Sequence, residues 1–120
     1  MDIEILWQYC LSKPGSTESF PFDAETLVFK VMGKMFAILP LERQEQIALK
    51  CDPGRAIELR EEWEEITAGY HLNKTHWNSV RVNGRLPSSL IKELVDHSYD
   101  LVAASLKKAE KAALADLQNN

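Results

Sequence analysis

Thr26-Leu27-Val28-Phe29-Lys30-Val31-Met32-Gly33-Lys34-Met35-Phe36-Ala37-Ile38-Leu39 is the stretch that decides the fold. Leu27, Phe29 and Val31 alternate with Val28, Lys30 and Met32. A period of two among β-branched and aromatic residues makes Thr26 to Met32 a strand. Gly33 supplies a turn and Met35 to Leu39 returns as a second strand, so Lys30 and Lys34 belong to one hairpin. After Pro40 and a polar link, Gln46 to Lys50 forms a third strand. The resulting antiparallel meander has one dry face, with the other covered or wet.

Towards the N-terminus, Ile3, Leu6, Trp7, Cys10 and Leu11 recur at spacings of three and four, the inward stripe of a short helix that ends near Lys13-Pro14-Gly15. The polar run through Ser19 and the aromatic Phe20-Pro21-Phe22-Asp23 read as an ordered loop. Towards the C-terminus, Asp52-Pro53 is a good helix start: aspartate accepts first-turn amide hydrogens, and proline is tolerated at the first helical position. Ala56, Leu59, Trp63 and Ile66 make its apolar stripe, with Trp63 in the core, where truncation to alanine costs about 3–5 kcal/mol. Glu58, Glu61, Glu62, Glu64 and Glu65 form its wet face.

Gly69 to Leu72 and Trp77 to Val82 read as two further strands joined by the polar turn Asn73-Lys74-Thr75. A long last helix starts at Pro87 or Ser88 and buries Leu90, Ile91, Leu94, Val95, Leu101, Val102 and Leu106. Lys107 to Asn120, rich in alanine and lysine, reads as an extension of that helix that frays. The order α-βββ-α-ββ-α, with strands grouped in runs, predicts an α+β two-layer sandwich, an antiparallel sheet with helices on one face. Residues 1–106 are the domain, and 107–120 a helical extension or frayed tail.

The 120 residues suit one domain that buries roughly two thirds of its unfolded surface. Apolar residues at 45% and charged residues at 27% exclude wholesale disorder. No apolar run approaches the roughly 20 residues of a membrane helix, and Met1-Asp2-Ile3-Glu4 lacks the positive start of a secretory signal, so a cytoplasmic protein is expected. Cys10 and Cys51 lack the spacing of a zinc site or a disulfide framework, so both read as buried, reduced thiols. No cofactor or metal is implied.

The net charge of −4 speaks against nucleic acid, but its distribution does not. Between Glu65 and Glu93 there is no acid, while Lys74, Arg81, Arg85 and Lys92 fall there with His71 and His76. One region is therefore cationic beside an acidic one. Catalysis has no anchor: Walker, GxGxxG, HExxH and EF-hand patterns are absent from the sequence, and His97 shares a helix face with Leu101, as a packed residue would. A binding protein is expected, not an enzyme. In Gly69-Tyr70-His71-Leu72-Asn73-Lys74-Thr75-His76-Trp77-Asn78-Ser79-Val80-Arg81, donors interleave with aromatics. Such a ribbon can set amides and cations against phosphates and stack a ring on a base, although Tyr70 and Trp77 are equally read as core.

Cys10 to Glu18, Thr26 to Val31 with Lys34-Met35-Phe36-Ala37, Gly69 to Lys74 with His76-Trp77-Asn78, and His97-Ser98-Tyr99-Asp100-Leu101-Val102 together resemble the MmcQ/YjbR family, in order and up to about Leu106. The resemblance implies a CyaY-like (frataxin-like) fold and a double-wing DNA-binding role, in which two hairpins approach the duplex. The wings would be the hairpins around Gly33-Lys34 and Asn73-Lys74-Thr75. Lys30, Lys34, Lys74 and Arg81 would meet phosphates, with Asn73, His76 and Asn78 as polar contacts. DNA is then the expected partner of a monomer without membrane contact. The alternative is a protein-interaction module of the same fold, using the sheet face or the acidic helix. Iron binding by an acidic ridge, as in frataxin, is an analogy of fold alone.

Overall fold

The structure, a computed structural model, describes residues 1–43, 45–69 and 72–119. Helix α1, Ile3–Leu11, begins where the Asp2 carboxylate accepts the Glu4 N–H at 2.7 Å, and it buries Leu6 and Cys10. Strands β1 (Ser16–Ser19), β2 (Thr26–Val31), β3 (Lys34–Pro40) and β4 (Gln46–Lys50) follow, with a 3-10 turn at Leu41–Arg43. Helix α2 (Pro53–Glu62), strands β5 (Ile66–Ala68) and β6 (Trp77–Arg81), and helices α3 (Ser88–Ala104) and α4 (Lys108–Gln118) complete the chain. The strands form one sheet, order β1-β2-β3-β4-β6-β5, with every neighbouring pair antiparallel.

The alternation in the hairpin has the predicted result. Leu27, Phe29 and Val31 join Phe36, Leu39, Ile47 and Leu49 in a core completed by Leu6, Cys10, Ala56, Leu59, Ile91, Val95 and Val102 from the helices. Val28, Ile38, Ala48 and Trp77 lie on the opposite face, where only Met35 and Leu72 pack against them among the described residues. The helices cover one face; the second, the open face in that no helix lies over it among the described residues, still buries Val28, Ile38, Ala48 and Trp77. Phe36 sits at the centre of the covered side, its ring 5.5 Å from Tyr99 edge-on and 6.4 Å from Phe29. Cys10 and Cys51 are both buried and free. Burial pushes the Cys10 thiol up to about 12.

Asp52 caps α2 as its sequence predicts, accepting the Arg55 N–H at 3.1 Å ahead of Pro53. Four expectations need correction. Ser16–Ser19 is an edge strand, not loop; it pairs with β2 although no apolar alternation marks it. Strand β5 lies at Ile66–Ala68, where the spacing suggests helix, because Trp63 turns extended (φ −125°, ψ 122°) and ends α2 before Ile66; the strand expected at Gly69–Leu72 spans two residues that are not described. Trp63 is accordingly half-buried at the helix end, and Ile66 belongs to the sheet. Glu65 is buried at 4% exposure, its Oε2 accepting the Arg85 N–H at 2.7 Å, which holds its pKa down. Tyr70 and His71 lie outside the described residues.

The fourth concerns the tail. The chain breaks at Ser105–Lys107 and forms a separate helix, with Leu106 and Leu114 both in the main core. Gly15 explains the fit: its φ is +73°, and a Cβ there would stand 2.9 Å from the Leu114 Cδ1. Hence α4 packs over the α1–β1 turn at Gly15, which the Met32 side chain also approaches.

Candidate nucleic-acid interface

Strand register shows which cations share an end of the molecule. Val31 pairs with Lys34 across the Met32-Gly33 turn, and Lys50 pairs with Trp77 just after the loop that joins β5 to β6. Ala37 pairs with Leu49, so β3 starts where β4 finishes. The two expected hairpin tips therefore lie at the same end of the sheet. Helix α3 finishes there as well, since the Lys34 ammonium donates to the Ser105 carbonyl at 3.2 Å. Lys30, Lys34, Lys50, Lys74, Lys107 and Lys108 lie at this hairpin end with Asp52, Asp100 and Glu110. Lys74 also lies beside helix α2, whose Arg60 reaches its carbonyl and which carries Glu58, Glu61 and Glu62. At the opposite end, around the β1–β2 and β3–β4 links and the exit of β6, Asp23, Glu25, Glu42, Glu45, Glu64 and Glu65 meet Arg43, Arg81 and Arg85.

Each predicted contact can now be placed. Lys30 alternates with Val28, so its side chain is on the open face, half-buried beside Met35. Asn73 is exposed, and its Oδ1 accepts the Thr75 N–H at 2.8 Å, an Asx turn that shapes the tip. Lys74 is exposed, and its carbonyl accepts from Arg60 Nη1 at 2.9 Å while its ammonium has no ion pair among the described residues. His76 is exposed beside it, its carbonyl accepting the Cys51 N–H at 2.7 Å.

Three of the seven depart from the expected interface. Asn78 is 2% exposed and points to the helix side, donating to the Ala56 carbonyl at 3.4 Å and accepting from Arg60 Nη1 at 3.3 Å. It holds Arg60, which in turn holds the Lys74 carbonyl. Arg81 is exposed but lies at the far end of β6. Four residues of strand, about 13 Å, separate it from Trp77, and its register partner is Gln46 at the acidic end. A single ribbon carrying both Lys74 and Arg81 to one surface is not what the fold builds. Lys34 is exposed, but its ammonium is turned to the end of α3.

Lys50 is the cation that sequence reasoning missed. Ile47 and Leu49 face the helices and Ala48 the open side, so period-two alternation also sets Lys50 on the open face. Lys30 and Lys50 therefore lie on the same face, on the two strands that flank β3. The alternation was readable in Gln46 to Lys50; which end of the sheet Lys50 occupies was not.

Two of the resembling segments turn out to fasten helices together. The Asp96 carboxylate takes a hydrogen bond from Tyr9 Oη at 2.6 Å and an ion pair from Lys13, whose ammonium also lies 5.0 Å from the Tyr9 ring. Burial opposes the Lys13 charge, but Asp96 outweighs it and raises the lysine pKa. Tyr99 Oη donates to the Pro14 carbonyl at 2.5 Å. Ser98, fully buried, donates to the Phe36 carbonyl at 2.5 Å and accepts the Lys50 N–H at 2.9 Å. His97 Nε2 accepts the Asp52 N–H at 3.1 Å; burial, then the Arg55 charge, hold its pKa down. Among the described residues no group of three or more His, Cys, Asp or Glu is placed to hold a metal ion, and no helix is long and apolar enough to cross a membrane.

Comparison with known proteins gives a consistent answer. Residues 11–101 match the family model YjbR. The chain is 36% identical to protein YjbR of Escherichia coli strain K12 over 118 residues, covering 98% of this chain and 100% of that one. It is 34% identical to YbdF of Escherichia coli O157:H7 over 93 residues, 77% of this chain and 76% of the relative. Among solved structures, Deinococcus radiodurans DR2400, of domain DUF419, superposes with a TM-score of 0.86 at 42% identity, covering 94% of this chain and 87% of that one. A Pseudomonas syringae protein superposes at 0.74 with 26% identity, over 85% of this chain and 99% of its own. Their names state no activity, ligand or partner.

Proposed function

The chain belongs to the YjbR family, and from that premise we propose that it is a small cytoplasmic DNA-binding protein with no reaction of its own. It meets the duplex backbone with the hairpin end of its sheet. The observation that carries this reading is that Lys30, Lys50 and Lys74 lie at one end of the sheet, opposite the end that holds Asp23, Glu25 and Glu42. With a net charge of −4, affinity has to come from this local field. Lysine ammoniums on phosphates release counterions but read no base edges, so binding is tolerant of sequence and steeply weakened by salt. The acidic end is repelled by the same polyanion, which orients the approach.

The test is fluorescence anisotropy of a labelled duplex at two salt concentrations. The wild-type chain should bind, with affinity falling as salt rises. Combined Lys30→Glu, Lys50→Glu and Lys74→Glu should abolish binding, whereas Arg81→Glu at the far end should leave it close to wild type. Absence of binding at low salt, or equal binding by the triple variant, would overturn the reading in favour of a protein-interaction module.

A further inference from the structure

The open face of the sheet carries a groove that the hairpin end does not use. It holds about 510 Å³, with Ile38 of β3, Gln46 and Ala48 of β4 and Ser79 of β6 along its floor. Phe22, 65% exposed, stands on the side of the β1–β2 link, and Leu72 on the side of the loop that leads into β6. A space of this size, largely apolar with a few polar groups, suits a small molecule.

Ser79 shows what the groove is short of. It is 8% exposed and pairs with Ala48, which sets its side chain on the open face, in the groove floor. Its hydroxyl has no hydrogen-bond partner among the described residues. A polar group buried to this degree normally has one, and leaving it without costs stability unless something in the groove supplies the bond. The Gln46 carboxamide lies diagonally across the β4–β6 ladder on the same face, and it too makes no bond among the described residues.

The charged rim favours neither sign. Asp23 and Glu42 line the groove together with Arg43, and Arg81 adjoins Gln46 in the register. The Asp23 carboxylate is already engaged, accepting the Glu25 and Thr26 N–H groups, both at 2.8 Å. What is left for recognition is neutral: an apolar floor, an aromatic wall, one hydroxyl and one carboxamide.

We propose that this groove binds an uncharged planar heterocycle of the nucleobase class, as the free base or nucleoside. The ring lies on Ile38 and Ala48 beside the exposed Phe22 ring, and its polar edge meets Gln46 and Ser79. A carboxamide presents a donor next to an acceptor, the complement of a base edge, and a hydroxyl can serve as either. An extended peptide would lay its amides over Ile38 and Ala48, whose backbones already pair with each other and offer nothing in return. A base within a strand would bring its phosphates to the acidic end. The site is separate from the hairpin end and does not depend on the DNA reading.

The probes are adenosine, cytidine, uridine and inosine, titrated into the full ¹⁵N-labelled chain, with benzyl alcohol as a ring that lacks the base edge. At least one nucleoside should give saturable shifts of the Gln46, Ala48 and Ser79 amides and bind about ten-fold more tightly than benzyl alcohol. Ser79→Ala should weaken that nucleoside about ten-fold while leaving the urea midpoint unchanged or higher, because the hydroxyl it removes serves nothing within the fold. Phe22→Ala, an exposed change, should weaken it as well. The proposal fails if no nucleoside saturates, if none binds more tightly than benzyl alcohol, or if Ser79→Ala keeps full affinity. A lowered midpoint in Ser79→Ala would sink it too, by showing that the hydroxyl is already satisfied in the free protein.

Discussion

The two hairpins look equivalent in sequence, each a pair of strands with a lysine near its turn, but the fold treats them differently. The β2–β3 turn is backed by protein on its Met32 side: Met32 packs on the core in a left-handed conformation (φ 49°), and the Lys34 ammonium is bonded to the end of α3. The Asn73–His76 tip is exposed throughout, and its described bonds run to its own turn, Arg60 and Cys51. What lies behind a hairpin, more than its own charge, decides whether its cation is available to a partner. The first tip rests Met32 on the core while Gly33 and Lys34 are exposed, whereas the second is exposed at every position from Asn73 to His76.

That contrast can be broken most severely from behind the first hairpin. Phe36→Ala should lower the free energy of unfolding by about 3–5 kcal/mol in urea denaturation, because the ring it removes is fully buried against Phe29 and Tyr99. Asn78→Ala acts on the second hairpin alone. It leaves Arg60 and the Ala56 carbonyl without their partner, for about 1–3 kcal/mol of stability, and should raise ¹⁵N relaxation at Asn73–His76 while leaving Met32–Lys34 quiet.

A smaller effect depends on pH. His97 must be neutral for its Nε2 to accept from Asp52, and its folded pKa lies below the unfolded value, so the unfolded state takes up the proton first. Stability should therefore fall as pH drops through about 6.5 and below, and His97→Gln should flatten that part of a pH–melting curve. Least of all, Lys34→Ala should cost under about 0.5 kcal/mol, since its bond to Ser105 is exposed. Should Lys34→Ala reduce duplex binding as much as Lys74→Ala, the distinction between the two tips would fail.

Where the pattern was dense, the fold was legible. Gln46 to Lys50 has the bounds read from sequence, β2 and β3 differ by a residue at each affected end, and Asp52-Pro53 marked α2 because its capping chemistry is local. Ser16–Ser19 was not legible because an edge strand of small polar residues owes its form to its neighbour β2. Ile66 continued the three- and four-residue spacing of α2 by coincidence, which concealed the extended Trp63. Of the candidate site, the exposure of the Asn73–His76 tip was legible in its polar turn residues. The facing of Asn78 and the end of the sheet that Arg81 occupies were not, because the first depends on where β6 starts and the second on pairing with β4.

Ser98 has a consequence for how the chain is made. Between β3 and β4 the paired register covers only Ala37 with Leu49 and Ile38 with Ala48; beyond it, a helix hydroxyl spans the gap from the Phe36 carbonyl to the Lys50 amide. The sheet is thus two triplets of strands, β1-β2-β3 and β4-β6-β5, joined along a seam that α3 bolts shut. The bolt follows all six strands in the chain. During synthesis from the N-terminus every strand leaves the ribosome before Ser98 does, so the two halves of the sheet wait for the helix that joins them.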